Sequence, residues 1–333
     1  MTTTTKKVNL IGAGYWGKNL VRNFFDLNAI DTVFDLSEAN LAKISKSHPG
    51  ITVSTKIDDA MTNSATAVVI STPAETHYEL SKKALLSGKD VYVEKPLALN
   101  FAEAQELVDL AKQKNRILMV GHLLQYHPAV VKLKSMITEG ELGKIEYVYS
   151  NRVNLGKIRT EENILWSFAP HDISVMLWLI GQMPVQVNAV GGNYLQPNIA
   201  DSTISSFTFP GGVRGHIFVS WLHPFKEQRM VIIGSSKMAV FDDRLPATEK
   251  LKLYDKNIEM VQGQFVATAP QGTPVFFNAE IEPLKAECQH FLDSITTRTQ
   301  PRTDGLEGLR VLKVLQSCQR SLEMNGQPVQ VTD

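Results

Sequence analysis

The stretch KKVNLIGAGYWGKNLV constrains this chain more than any other. Gly12, Gly14 and Gly17 stand in G-x-G-x-x-G spacing directly after the apolar run Val8 to Ile11 and directly before a helical pattern. In a strand–turn–helix unit the first glycine permits the tight turn and the second lets the backbone approach a pyrophosphate, while the third lets the helix pack on the strand. The helix then directs its N-terminal amides and dipole at the phosphates. The next strand-like run, TVFD, ends in Asp35, where an acid accepts hydrogen bonds from the hydroxyls of an adenosine ribose. The glycines, Asp35, and Tyr15 and Trp16 within the loop are the candidate cofactor-binding residues. NAD is the expected cofactor, because a 2′-phosphate would meet Asp35 as a like charge. A glycine turn beside a solvated aspartate is the alternative, and the shared register of strand, fingerprint, helix and acid argues against it.

From Val8 to Val120 short apolar runs alternate with helical patterns, the rhythm of a parallel sheet covered on both faces. Strands are expected at Val8 to Ile11, Thr32 to Asp35, Val68 to Ser71, Asp90 to Val93 and Ile117 to Val120. Helices are expected near Gly17 to Phe25, Ala39 to Lys46, Thr76 to Ser87 and Phe101 to Lys114. After Gly121 the pattern changes to a helix at Pro128 to Glu139, a strand at Ile145 to Val153, and a helix from about Asp172 to Ile180. Successive apolar runs with Gly- and Pro-rich turns follow, which favours an antiparallel or mixed sheet. The fold class expected is α/β, with an N-terminal Rossmann domain over residues 1–122 and a C-terminal α+β domain over 123–333 built on an open, predominantly antiparallel mixed sheet. In the closing helix, Leu306 to Met324, Asp304 and Glu307 have capping-box spacing and Gly326 lies just past the end.

Lys plus Arg and Asp plus Glu both number 34, so the zero net charge gives no general attraction to nucleic acid or an anionic membrane. Any phosphate recognition must be local. The two cysteines, Cys288 and Cys318, fall on apolar helical stripes and read as buried thiols. No His, Cys and carboxylate set has metal-ligand spacing, so no metal is expected. The opening MTTTTKK leads straight into a strand, and no run of about eighteen apolar residues occurs, so the protein is expected to be cytoplasmic, without a leader or membrane span.

Two loops fall at the carboxyl ends of strands, where doubly wound folds hold their ligands. One is Ser71-Thr72-Pro73, followed by His77; the other is Glu94-Lys95-Pro96. A lysine at a strand end, its turn fixed by proline, can direct its ammonium into a cofactor crevice. On residues alone Lys95 reads equally as a surface lysine.

GAGYWG, STPAETH, VEKPLA and Gly121-His122 together resemble the Gfo/Idh/MocA family of sugar and cyclitol oxidoreductases, and the likeness extends to the closing TDGLEGLRVLKVLQSCQRSLEMNG. NRVNLGKIRTEENILWSFAPHDIS resembles the nucleotide-sugar 3-dehydrogenases within that family. The resemblance implies catalysis by Lys95 and by His171, just inside a helix of the second domain, with Ser71, Thr72, Pro73, His77, Glu94 and Lys95 near the cofactor. It also implies self-association through the C-terminal sheet, as a dimer or tetramer. A histidine takes the hydroxyl proton as hydride leaves, and a cationic lysine stabilises the oxyanion. Two departures are plain: Ser167 stands where many relatives have an aspartate four residues before the histidine, and Gln125 stands where many have an arginine.

Arg152, Asn154, Lys157 and Arg159 lie in a stretch suited to a diphosphate, or to a solvated basic loop. His122 and Tyr126 follow the last Rossmann strand and are candidate sugar ligands; Tyr126 reads equally as core. Together with Lys95 and His171 these form the substrate-binding set. The activity expected is NAD-dependent oxidation of a secondary hydroxyl, at C3 of a nucleotide-activated amino sugar such as UDP-N-acetylglucosamine. A free sugar or cyclitol as substrate, or a non-catalytic NAD-binding regulator, are the alternatives.

Overall fold

The computed structural model describes residues 7–331. The expectation of no leader rests on residues that lie mostly outside these. The chain divides into two compact units, one holding the residues up to Tyr126 together with Glu282–Leu312, the other His127–Ile281 and the remainder from Lys313.

The first unit is built from β1 (Val8–Ile11), α1 (Gly17–Asp26), β2 (Ile30–Phe34), α2 (Glu38–Ser47), β3 (Thr52–Ser54), α3 (Asp59–Thr62), β4 (Ala67–Ile70), α4 (His77–Leu86), β5 (Asp90–Glu94), α5 (Phe101–Gln113) and β6 (Leu118–Gly121). The six strands pair in parallel in the order β3-β2-β1-β4-β5-β6. The order reverses at β1 and β4, so their following loops open apart at the carboxyl edge, where such folds hold ligands. β1, β4 and β6 are buried at every position, as strands covered on both faces must be. The edge strand β3 gives no signal in the sequence, because its three residues, Thr52–Ser54, carry no apolar run.

The second unit contains α6 (Pro128–Thr138), β7 (Ile145–Leu155), α7 (Ile164–Ile180), β8 (Gln186–Gly192), β9 (Ser202–Thr208), β10 (Arg214–Ser220), β11 (Leu222–Gly234), β12 (Lys237–Asp242) and β13 (Leu251–Asp255). A hairpin of β14 (Asn257–Val261) and β15 (Gln264–Thr268) precedes the short β16 (Thr273–Pro274). After α8 (Pro283–Thr297) and α9 (Gly305–Glu323), the short β17 (Val329–Gln330) completes a nine-stranded sheet of order β16-β13-β12-β11-β7-β10-β9-β8-β17. β7 and β10 run parallel and the other neighbours antiparallel.

Two sequence expectations change. Residues 282–312 pack in the first unit, not the second, because the stripe Leu284, Cys288, Phe291 and Ile295 of α8 is buried with Val8, Leu10 and Tyr92. A periodic stripe announces that a helix is buried without naming what covers it. The helix carrying His171 starts at Ile164 rather than near Asp172. Asn163 caps it by accepting from the Trp166 amide at 3.2 Å, and Pro170 lies inside it, where the sequence suggests a break. At the start of α9 the Glu307 amide donates to Asp304 Oδ1 at 2.8 Å, the N-cap bond of the expected box, while Glu307 Oε1 accepts from Gln125 Nε2 at 2.8 Å. Both cysteines are buried and free. Among the described residues no helix is long and apolar enough to cross a membrane.

Candidate active site

The fingerprint turn works by close approach. Gly12 has φ +94°, and a Cβ there would lie 2.8 Å from the Ser71 backbone. A Cβ on Gly17 would fall 1.9 Å from the Gly12 carbonyl oxygen, so α1 can start only on glycine. Gly14 has open space, with nothing within 4 Å of where its Cβ would be. That is the side on which a pyrophosphate can meet backbone. Asp35, just past β2, accepts from the Ala13 amide at 2.6 Å and the Ser37 amide at 2.7 Å, which fixes its carboxylate beside the loop. Tyr15 and Trp16 are exposed, at 89% and 36%. This cradle of glycines, helix N-terminus and anchored acid fits a dinucleotide.

The loop after β4 supports the fingerprint from beneath. Ser71 Oγ donates to the Gly12 carbonyl at 2.6 Å, and the hydroxyls of Thr72 and Thr76 share a hydrogen bond of 2.6 Å. His77, expected against the cofactor, is buried, its Nε2 2.9 Å from the Thr72 carbonyl and its Nδ1 2.7 Å from that of Pro96. Burial lowers its pKa against the pull of those two oxygens. It ties the Thr72 loop, in which Thr72 is partly exposed and Pro73 exposed, to the Pro96 loop.

Glu94 is the hub of the third loop. Its Oε1 accepts from the Trp16 indole at 2.7 Å and from the Tyr92 hydroxyl at 3.2 Å, and its Oε2 accepts from the Lys95 amide at 3.3 Å. The fingerprint loop is thereby clasped to the turn that carries Lys95. Burial raises the Glu94 pKa, opposed by the Trp16 donor and the Lys95 charge. Lys95 is partly exposed, and its charge depresses the pKa values of His77 and His122. His122 is 2% exposed, neither ring nitrogen makes a hydrogen bond among the described residues, and burial followed by the Lys95 charge lowers its pKa to about 3. Tyr126 takes its structural reading: it is buried, 3.1 Å from the Thr303 hydroxyl, with the Arg302 guanidinium 4.9 Å from its ring centroid. Sequence reasoning missed Tyr92 as part of this site, since a tyrosine in an apolar strand reads as packing.

In the second unit, Arg152 on β7 is committed internally. Its Nε donates to Asp172 Oδ2 at 2.6 Å and its Nη2 to Oδ1 at 3.2 Å, while Ser150 Oγ donates to the same Oδ1 at 2.6 Å. Asp172 therefore turns onto β7 and does not serve its neighbour His171, as the 100° helical step requires. His171 is the eighth residue of α7 and is half-buried, while Ser167, one turn earlier, is buried. Arg159 pairs with Glu162 at 3.0 Å and Glu161 at 3.2 Å. Backbone amides at Glu161 and Thr160, and then Arg159, hold the Glu161 carboxyl at about 2. Asn154 is partly exposed, and the exposed Lys157 makes no ion pair among the described residues.

The sequence pattern of the Gfo/Idh/MocA oxidoreductase family, NAD-binding Rossmann fold, matches residues 6–122, and that of the Gfo/Idh/MocA C-terminal domain matches residues 130–240. UDP-N-acetylglucosamine 3-dehydrogenase of Acidithiobacillus ferrooxidans is 25% identical over 92% of this chain and 94% of its own length. A solved structure of that protein aligns with TM-score 0.81 at 24% identity, covering 96% of this chain and 98% of that one. The scyllo-inositol 2-dehydrogenase (NAD(+)) of Bacillus subtilis is 24% identical over 80% of this chain and 77% of its own. Levoglucosan dehydrogenase in complex with NADH and levoglucosan shares the fold, with TM-score 0.84 at 19% identity over 98% of this chain and 99% of that one. With the glycine cradle, the anchored Asp35 and the Lys95 turn in place, the chain belongs to the Gfo/Idh/MocA family and is an NAD-dependent oxidoreductase acting on CH–OH groups.

Proposed function

We propose that the protein oxidises a secondary hydroxyl of a nucleotide-activated amino sugar, C3 of UDP-N-acetylglucosamine or a close analogue, to the keto sugar. The likeness over 92% of the chain to a UDP-N-acetylglucosamine 3-dehydrogenase carries this reading. NAD, when bound, supplies the ring that accepts hydride. The chain's own residues manage position, proton and charge. Gly12, Gly14 and Gly17 bring backbone to the pyrophosphate, and Asp35 accepts from the ribose hydroxyls. Ser71 and His77 act through the carbonyls they hold, Glu94 and Trp16 fix the loop, and Thr72 and Pro73 border the cofactor. Lys95 stabilises the alkoxide as it forms, and His171 takes the hydroxyl proton. Asn154 and Lys157 serve the nucleotide end.

A second reading, a free sugar or cyclitol as substrate, draws support from the pairing of Arg152 with Asp172 and of Arg159 with Glu161 and Glu162. Those two guanidiniums are already satisfied, so less of the basic stretch is available to a diphosphate than its composition suggests. Comparing kcat/KM for UDP-N-acetylglucosamine, free N-acetylglucosamine and scyllo-inositol at saturating NAD decides the matter. Preference for the UDP sugar by a hundredfold or more supports the first reading, and equal or better use of a free sugar or cyclitol replaces it.

The proposal includes self-association through the second unit's sheet. Tyr149 stacks on His216 at 5.1 Å and 6°, and the same residue borders a groove of about 370 Å³ with Arg229, Met238 and Tyr254. Sedimentation equilibrium with Tyr149→Glu tests it: a monomeric variant supports this face, and an unchanged oligomer removes it.

A further inference from the structure

Glu287 is a charged residue in a place where charge is costly. It lies on α8 with no solvent exposure, one turn before Phe291, whose ring meets Tyr92 edge-to-face at 5.7 Å. Its two carboxyl oxygens make no well-formed hydrogen bond among the described residues. Of the groups around it, Glu94 is the charged one and the Tyr92 hydroxyl the neutral polar one, with Tyr126 and Cys288 also within its field. An isolated carboxylate in such surroundings is strongly disfavoured, and two carboxyl groups sharing one buried region cannot both ionise cheaply.

We propose that Glu287 is a positioning residue, whose carboxyl group fixes the Tyr92 hydroxyl on Glu94 and, through Glu94, holds the Trp16 indole and the Lys95 turn in place. It rests on the reading of Trp16 and Lys95 as cofactor-side residues. The proton sits on Glu287: burial and the Glu94 charge push its pKa far up, whereas at Glu94 the rise that burial causes is opposed by the Trp16 donor, the Lys95 ammonium and the Tyr92 donor. As an acid, Glu287 has one proton to donate, and Tyr92, whose own proton goes to Glu94, has an oxygen to accept it. The direction of the chain is thereby set: Glu287 to Tyr92 to Glu94, with Trp16 donating from the other side. A chain of this polarity ends on the loop that receives the pyrophosphate, so its loss is felt as weaker NAD binding.

Calorimetric titration of the full chain with NAD, without sugar, tests the inference separately from the substrate assignment. Glu287→Leu and Tyr92→Phe should each weaken NAD binding about tenfold, the effect of one lost hydrogen bond to a charged group. The double variant should lose little more than either alone. Glu287→Gln, neutral but still a donor, should stay within about twofold of wild type. Thermal unfolding and Trp16→Phe are measured alongside. Wild-type NAD affinity in Glu287→Leu, with only the unfolding temperature changed, would reduce Glu287 to packing. A loss in Glu287→Gln as large as in Glu287→Leu would mean that the ionised carboxylate matters, and would overturn the direction of the chain. If Glu287→Leu does not fold, wild-type affinity in Tyr92→Phe overturns the inference by itself. If Trp16→Phe changes NAD affinity while Tyr92→Phe and Glu287→Leu do not, the cofactor-side reading stands and this inference falls; if none of the three does, both fall.

Discussion

The Glu94 carboxyl group lies against the bare Cα of Gly121: a Cβ on that glycine would stand 2.8 Å from Oε2 and 2.9 Å from Oε1. β5 and β6 pair at these two positions, so the glycine makes room for the side chain beside it. Gly121→Ala should displace Glu94 from Trp16 and from the Lys95 amide. Overpacking of this kind costs about 1–3 kcal/mol. The expected outcome is an unfolding temperature lower by roughly 2–8 °C and a measurable loss of NAD affinity, read by differential scanning fluorimetry and by titration. Unchanged values of both would mean that Glu94 can move without consequence.

Asp35 sets the choice of cofactor. Its two oxygens are fixed by the Ala13 and Ser37 amides, so it cannot swing away from a 2′-phosphate. Like-charge juxtaposition costs a few kcal/mol, which corresponds to a preference for NAD over NADP on the order of a hundredfold. Parallel titrations check this, and equal affinities would take Asp35 out of the site.

Most of the cofactor half is legible in the sequence, since strand, glycine turn, helix and acid are local signals in fixed register. The clasp is not. Trp16 and Glu94 are 78 positions apart, and Glu94 and Glu287 come from the two separate stretches of sequence that form the first unit. Glu287 does leave a trace: it occupies a position on the apolar stripe of α8, where a carboxylate conflicts with the pattern. The basic stretch is legible as composition only, because whether an arginine is available depends on partners such as Asp172. That residue turns toward β7 from a helix whose first turns the internal Pro170 conceals in the sequence.

Lys95→Met should remove most turnover while NAD affinity stays within a few fold, because the pyrophosphate and ribose contacts belong to other residues. Stabilisation of a developing oxyanion by one donor is commonly worth a hundredfold or more in kcat. Near-normal kcat in the folded variant would remove Lys95 from the chemistry.

Asp172→Asn should destabilise the second unit, not the reaction. The Arg152 side chain is 13% exposed and that of Asp172 3%, and a buried guanidinium left with half its partner costs up to about 3–5 kcal/mol. The unfolding temperature should fall sharply while KM for the sugar changes little. A selective rise in KM at unchanged stability would instead make Arg152 a substrate ligand.

His171→Asn tests the proton acceptor. Asparagine keeps much of the size and some hydrogen bonding but takes up no proton at neutral pH, so kcat should fall by roughly a hundredfold to ten-thousandfold with little change in substrate binding. The pH profile adds a second reading. A base works in its deprotonated form, so the wild-type oxidation rate should fall on the acid side as the imidazole gains its proton, and the variant should lose that limb. The other candidate histidines are poorly suited to supply it: His122 is depressed to about 3 by burial and the Lys95 charge, and His77 is shifted down by burial while both its nitrogens face carbonyl oxygens. Asp172 is taken by Arg152 and Ser150, and Ser167 offers no carboxylate, so neither residue stands in for the aspartate that many relatives place four residues before the histidine. Retention of both rate and acid limb in His171→Asn would move the base elsewhere, and Lys95 would be the next group to titrate.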